Sequence, residues 1–146
     1  MSVSTIRSKP ATKWRCFSRG RASDAVTIRV QESDFDVGAE LAALSAGNAG
    51  VGGVASFIGL VRDIAPAGSA NAFSMTLEHY PGMTEKRLAE IEAEARRRWR
   101  LEASLIIHRY GRLNPGDRIV LVATASSHRE AALQACAFLI DWLKHE

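Results

Sequence analysis

The sequence predicts an α+β domain with a mixed, largely antiparallel sheet and about three helices. Segments in which apolar residues alternate with polar ones are interleaved with segments of helical spacing, in the order βαββαββα. Turn chemistry separates them at Gly47-Asn48, Pro81-Gly82 and Pro115-Gly116. A length of 146 residues, 47% of them hydrophobic, suits one domain with a proper core.

The first strand is expected over 25–31, where Val26, Ile28 and Val30 alternate with polar residues. Ser33 or Asp34 is placed to cap a short helix running to about Ala46, which Gly47, Asn48 and Gly50 end. Residues 51–62 (VGGVASFIGLVR) read as an apolar strand carrying glycines, and 63–71 as a loop. Phe73, Met75, Leu77 and His79 alternate with Ser74, Thr76 and Glu78 and predict another strand. After Pro81-Gly82, Leu88, Ile91, Ala95 and Trp99 follow helical spacing over 83–99. Residues 103–110 read as a strand, and 111–117 as a turn around Pro115-Gly116. The continuous apolar run 118–125 fits a central strand. The last helix is expected from Ser127 to Lys144, with Ser127 and Glu130 at capping-box spacing. Leu133, Cys136, Ala137, Ile140 and Leu143 would share its apolar face, with Arg129 and Lys144 projecting onto it.

Charge is distributed unevenly. Residues 1–23 hold six basic residues and no acid, so the net charge of +3 resolves into a basic tail and a body with 13 basic against 16 acidic residues. Residues 1–24 read as a disordered basic extension ahead of a domain over 25–146. The Arg- and Ser-rich, acid-free composition also fits a transit peptide, and a misplaced start would look the same. A nucleic-acid reading would need a basic face on the domain itself, and the body lacks one by count. Binding through the tail alone would show steep salt dependence. No apolar run reaches the ~18–20 residues that cross a bilayer. Cys16 and Cys136 have no metal-ligand spacing, which argues against a disulfide framework or a zinc site and fits the reducing cytoplasm. Cys136 reads as a buried, inert thiol.

Four cations stand where chemistry could occur. His128 and Arg129 open the last helix, where free backbone N–H groups and a guanidinium form a ready anion site; the alternative is two solvated first-turn residues. Lys144 could hold an anion or move a proton, or could be a helix-end lysine that reaches to water. Arg62 ends a strand beside a Gly/Pro/Ala-rich loop, which suits an anionic ligand as well as plain solvation. Arg129 and Lys144 are 15 residues apart on one helix, or roughly 22 Å at ~1.5 Å per residue. No small ligand spans both within one subunit. A site that uses both requires a symmetric dimer, and a monomeric active form would contradict it. Gly52, Gly53 and Gly59 make no phosphate-binding loop. His79 and His108 read as satisfied strand histidines, and no Ser-His-Asp, paired-carboxylate or metal constellation emerges.

The stretches FIGLVRD (57–63), LEHYPGMTEKRLAEI (77–91), IHRYGRLNPGD (107–117) and SSHREAALQACAFLIDWLK (126–144) resemble the large, catalytic subunit of molybdopterin synthase, the MoaE family. The resemblance covers about 25–146. It implies an α/β hammerhead-type fold and a homodimer. Each end of that dimer would bind a small ubiquitin-like sulfur-carrier subunit of the MoaD type, giving a heterotetramer. The carrier's C-terminal thiocarboxylate would supply sulfur to cyclic pyranopterin monophosphate, forming the molybdopterin dithiolene, with no cofactor, metal or catalytic cysteine. Leu60, Val61, Arg62, His128, Arg129 and Lys144 fall on the family's substrate-binding positions, His128 and Arg129 being supplied across the dimer, and Lys144 on its first essential lysine. Two departures stand out: Leu60 occupies a position where the family often has lysine, and the sequence stops at Glu146, before the family's Pro-Phe-Trp-Lys segment with its second lysine. The alternative is a truncated, non-catalytic homologue that only binds the carrier or an anionic pterin.

Overall fold

A computed structural model describes residues 25–63 and 75–145. The expected extension over 1–24, Cys16, nearly all of the loop expected over 63–71 and the start of the strand expected at Phe73 lie outside the described residues. The described elements are β1 (Ala25–Gln31), α1 (Val37–Ser45), β2 (Gly53–Leu60), β3 (Met75–Leu77), α2 (Met83–Arg98), β4 (Ala103–Arg109), β5 (Gly111–Leu113), β6 (Arg118–Ser126) and α3 (Arg129–Lys144). Four strands form one sheet in the order β1-β4-β6-β2, with β1 parallel to β4 and the other two pairs antiparallel. β3 and β5 pair antiparallel as a small second sheet. This is the expected α+β architecture, with three helices among the described residues and a mixed, largely antiparallel sheet.

β6 is interior because it is apolar on both faces. Leu121 and Ala123 pack toward α1 with Phe35, Leu105 and Ile107. Val122 faces the other way, into the larger core formed with Leu88, Ile91 and Ala95 of α2 and Ala132, Ala135, Cys136 and Leu139 of α3. Burial at ~25 cal/mol per Å² makes this two-sided packing the main stabilising term. A carboxylate is drawn into the larger core: Glu92 accepts hydrogen bonds from Arg96, at 2.7 Å, and from the Ser104 hydroxyl. Both carboxylate oxygens are thereby satisfied, as burial demands.

Four local expectations change. α1 is capped by Asp36, whose carboxylate accepts from the Ala39 N–H at 3.1 Å. Asp34 is unavailable for this, because its carboxylate is engaged by the Arg118 guanidinium at 2.8 and 3.0 Å. The segment expected to be wholly turn contains β5, because Gly111, at φ 89, re-enters extended backbone opposite β3 before the turn closes at 114–117. α3 starts at Arg129 with His128 as its cap residue and no side-chain cap, so Ser127 and Glu130 form no capping box. Finally, the buried face of α3 is Ala132, Ala135, Cys136 and Leu139, about 90° around the helix from the face expected. Leu133 is 60% exposed.

Candidate active site

The candidate residues occupy the two ends of one flank of the molecule. At one end, β6 closes on Ser126, which pairs with Gly53 at the start of β2. Gly52 donates its N–H to the Ser126 carbonyl at 2.8 Å. His128 then runs extended (φ −123°, ψ 135°) and α3 begins at Arg129, both side chains exposed. The bare Cα of Gly53 lies beneath Arg129, since a β-carbon built there would sit 3.7 Å from the Arg129 Cα. The first N–H groups of α3 have no side-chain acceptor, so this end offers backbone donors, an imidazole and a guanidinium together.

At the other end, β2 runs past Leu60 into Val61 and Arg62. Val61 is buried, and both its main-chain groups are used: its N–H donates to Asp117 at 2.8 Å and its carbonyl accepts from Gly116 at 2.7 Å. That double bond to the 114–117 turn anchors the chain where Arg62 emerges exposed. Leu60 is 56% exposed and shares a recess of about 760 Å³ with Ile58, Val37 and Arg118. α3 ends on this side too: Trp142 and Leu143 share a cavity with His108, and His108 pairs with Val120 near the start of β6. Lys144 is exposed in the last turn of α3.

Arg62 and Lys144 thus lie toward the end of the sheet opposite His128 and Arg129. The unbroken helix separates Arg129 from Lys144 by roughly 22 Å. Among the described residues, Arg62, Arg129 and Lys144 have no ion-pair partner. Between the two ends lies a run of exposed apolar residues; the sequence singles out only Leu60 among them as a site residue, and reads Leu133 as core and the others as part of an apolar strand. Val54, Phe57, Ile58 and Leu60 on β2, and Leu133 on α3, are all more than a third exposed. The signal for it was present: β2 is apolar on both faces, yet among the described residues it lies at the sheet edge, where a soluble strand usually carries charge.

The remaining candidates have structural roles. His79 stacks on Tyr110 with centroids 4.4 Å apart and meets Glu85 at 3.2 Å, while Glu85 also accepts from the Gly82 N–H at the start of α2. His108 faces the Arg109 carbonyl through Nδ1 at 2.8 Å, and burial holds its imidazole below the ordinary value. Burial pushes the Cys136 thiol up to about 11, so it carries almost no thiolate near neutral pH. Among the described residues there is no group of three His, Cys, Asp or Glu side chains able to hold a metal ion. No helix of the described residues is long and apolar enough to cross a membrane.

Comparison with known proteins settles the lineage. The family model described as "MoaE protein" matches residues 30–146. The chain belongs to the MoaE family. A MoaE relative from Ralstonia nicotianae, named molybdopterin synthase catalytic subunit, is 59% identical over 82% of this chain and 67% of its own length. Among solved structures, a molybdopterin biosynthesis MoaE protein from Burkholderia ambifaria is 52% identical, with TM-score 0.73 over 82% of this chain and 76% of that one. A molybdopterin synthase structure from Staphylococcus aureus is 28% identical, with TM-score 0.65 over 77% of this chain and 80% of that one. The MoaE fold thus accounts for the mixed four-stranded sheet, the small second sheet and the three helices described above.

Proposed function

We propose that this chain is the catalytic subunit of a molybdopterin synthase, with residues 25–146 as its catalytic domain. It transfers sulfur from the thiocarboxylated C-terminus of a small ubiquitin-like carrier of the MoaD type to cyclic pyranopterin monophosphate. The product is the dithiolene of molybdopterin. The observation that carries this reading is the pairing of MoaE family membership with exposed cations at both ends of one flank.

The chemistry follows from charge. The substrate carries a phosphate and the carrier ends in an anionic thiocarboxylate, so a productive complex brings two anions together. Arg129, His128 and the first N–H groups of α3 suit the phosphate, since charge-assisted and helix-terminal donors act together there. Lys144 and Arg62 suit the thiocarboxylate end, where a lysine also offers a proton. Leu60 and Val61 set the local surface around Arg62.

A complete site needs a second subunit. β2 is the sheet edge among the described residues, and its exposed apolar strip is what a homodimer interface requires. A two-fold axis beside the middle of β2 sets the two copies antiparallel. The Gly53 end of one copy then lies beside the Leu60 end of the other, and Arg129 of one subunit approaches Arg62 and Lys144 of its partner. With a carrier at each end the assembly is a heterotetramer. We place it in the cytoplasm, in keeping with its reducing-compartment cysteine usage. The test is reconstitution: the protein, thiocarboxylated carrier and cyclic pyranopterin monophosphate should yield molybdopterin, and Lys144→Ala should abolish most of that yield without loss of fold. A fully active Lys144→Ala variant would remove Lys144 from the site.

A further inference from the structure

Ser126 sits where three segments meet. It is 1% exposed, at the last position of β6. Its hydroxyl donates to the Arg100 carbonyl at 2.7 Å, in the connection between α2 and β4. A hydroxyl has one proton, so its oxygen is left as an acceptor, and it receives the His128 N–H at 3.3 Å. Its own carbonyl accepts from the Gly52 N–H at 2.8 Å. Next to it, the Ala125 carbonyl accepts from the Glu102 N–H at 2.7 Å. The end of β6 is thereby pinned from the Arg100–Glu102 side and from the Gly52 side at once.

The consequence falls on the start of α3. Helix starts are normally held by a Ser, Thr, Asp or Asn side chain at the cap position. Here His128 occupies that position and makes no side-chain cap bond. Ser126 holds the cap residue from two positions upstream, by its main chain. The His128 and Arg129 side chains are therefore left unused by the fold and point outward. A capping side chain at position 128 would have taken an N–H that an anion can use.

We propose that Ser126 is a positioning residue for anion binding: its hydroxyl fixes the His128 main chain and so delivers His128, Arg129 and the open end of α3 to the phosphate of the substrate. This rests on the sulfur-transfer reading above, in which those groups bind the pyranopterin phosphate. Ser126 touches no substrate, and its effect is exerted through the two residues that follow it.

The experiment is steady-state kinetics of Ser126→Ala, Ser126→Cys and Ser126→Thr in the complex with thiocarboxylated carrier, alongside thermal unfolding of each. Removing the hydroxyl should raise KM for cyclic pyranopterin monophosphate about tenfold, the size expected for one hydrogen bond that orders a binding group. KM for the carrier should stay within about twofold, because Ser126 bonds to the His128 main chain and not to Lys144 or Arg62, the groups that meet the carrier's end. Ser126→Thr, which keeps the hydroxyl, should restore the pterin KM. Ser126→Cys keeps the volume without a strong donor and should behave like alanine even if the alanine variant folds poorly. A folded Ala or Cys variant with unchanged pterin KM overturns the proposal, as does an equal rise in both KM values. A wild-type protein that binds carrier and pterin but makes no molybdopterin overturns the functional reading itself, and the positioning role with it.

Discussion

Gly52 and Gly53 are neighbours with opposite tolerances. A β-carbon added at Gly52 would stand 2.1 Å from the Ser127 carbonyl oxygen and 3.0 Å from its carbon. Both atoms are backbone, so no side chain can rotate aside. Relief requires moving 126–128 by about 1 Å, which breaks the 2.8 Å bond from the Gly52 N–H to the Ser126 carbonyl. Overpacking of this kind costs about 1–3 kcal/mol and the lost hydrogen bond about 1 more, so Gly52→Ala should destabilise by about 2–4 kcal/mol. For a domain of this size that is roughly 6–15 °C in melting temperature. At Gly53 the nearest atoms to an added β-carbon are 3.7 and 3.8 Å away, both on Arg129, at ordinary contact distance. Gly53→Ala should be neutral or stabilising by about 0.5 kcal/mol, through the unfolded chain. Denaturant and thermal melts of the two variants side by side check this. A Gly52→Ala protein melting within about 2 °C of the wild type would refute the close-approach argument.

Two further predictions concern titratable groups buried in the fold. Burial holds His108 below its ordinary value of 6.5, so the unfolded chain takes up a proton there that the folded protein resists. Its contribution is complete above about pH 6.5 and is lost as the pH falls below that, with a slope of at most ~1.4 kcal/mol per pH unit. Urea midpoints measured against pH should show the acid-side decline, and His108→Phe should flatten part of it; an identical slope in the variant would count against a buried neutral imidazole. Cys136, raised to about 11, should label with a thiol reagent near neutral pH only as fast as the protein opens, whereas immediate stoichiometric labelling of that thiol in folded protein would contradict its burial.

The strands were legible because each obeys one rule. β1 alternates, β6 is apolar throughout, and β2 is apolar with turn residues before it. β5 was hidden because its three residues begin on a Gly at positive φ and run into a Pro-Gly turn, so turn chemistry dominated the reading. The α3 cap was misread because Ser127 and Glu130 match a local pattern, while the bond that orders the helix start comes from Ser126 and depends on the Arg100 carbonyl, 26 residues away. The core face of α3 was misplaced for a related reason. Periodicity identifies apolar residues without saying which apolar stripe meets the protein's own sheet and which is left exposed. Leu133 counted as core by spacing, yet it lies on the exposed strip with Phe57. The four cations were legible as types in suggestive places. Their division between the two ends of a flank required the length of α3 and the register of β2 on β6.

Subunit mixing tests the shared site most directly. Arg129→Ala and Lys144→Ala homodimers should each lose most activity, since every site lacks one group. Mixed and allowed to exchange, half of the dimers become hybrids in which one of the two sites regains both groups, so activity should recover to about a quarter of wild type. Mixtures that stay inactive after demonstrated exchange, or a monomeric form that is fully active, would contradict a site built from Lys144 of one subunit and Arg129 of its partner.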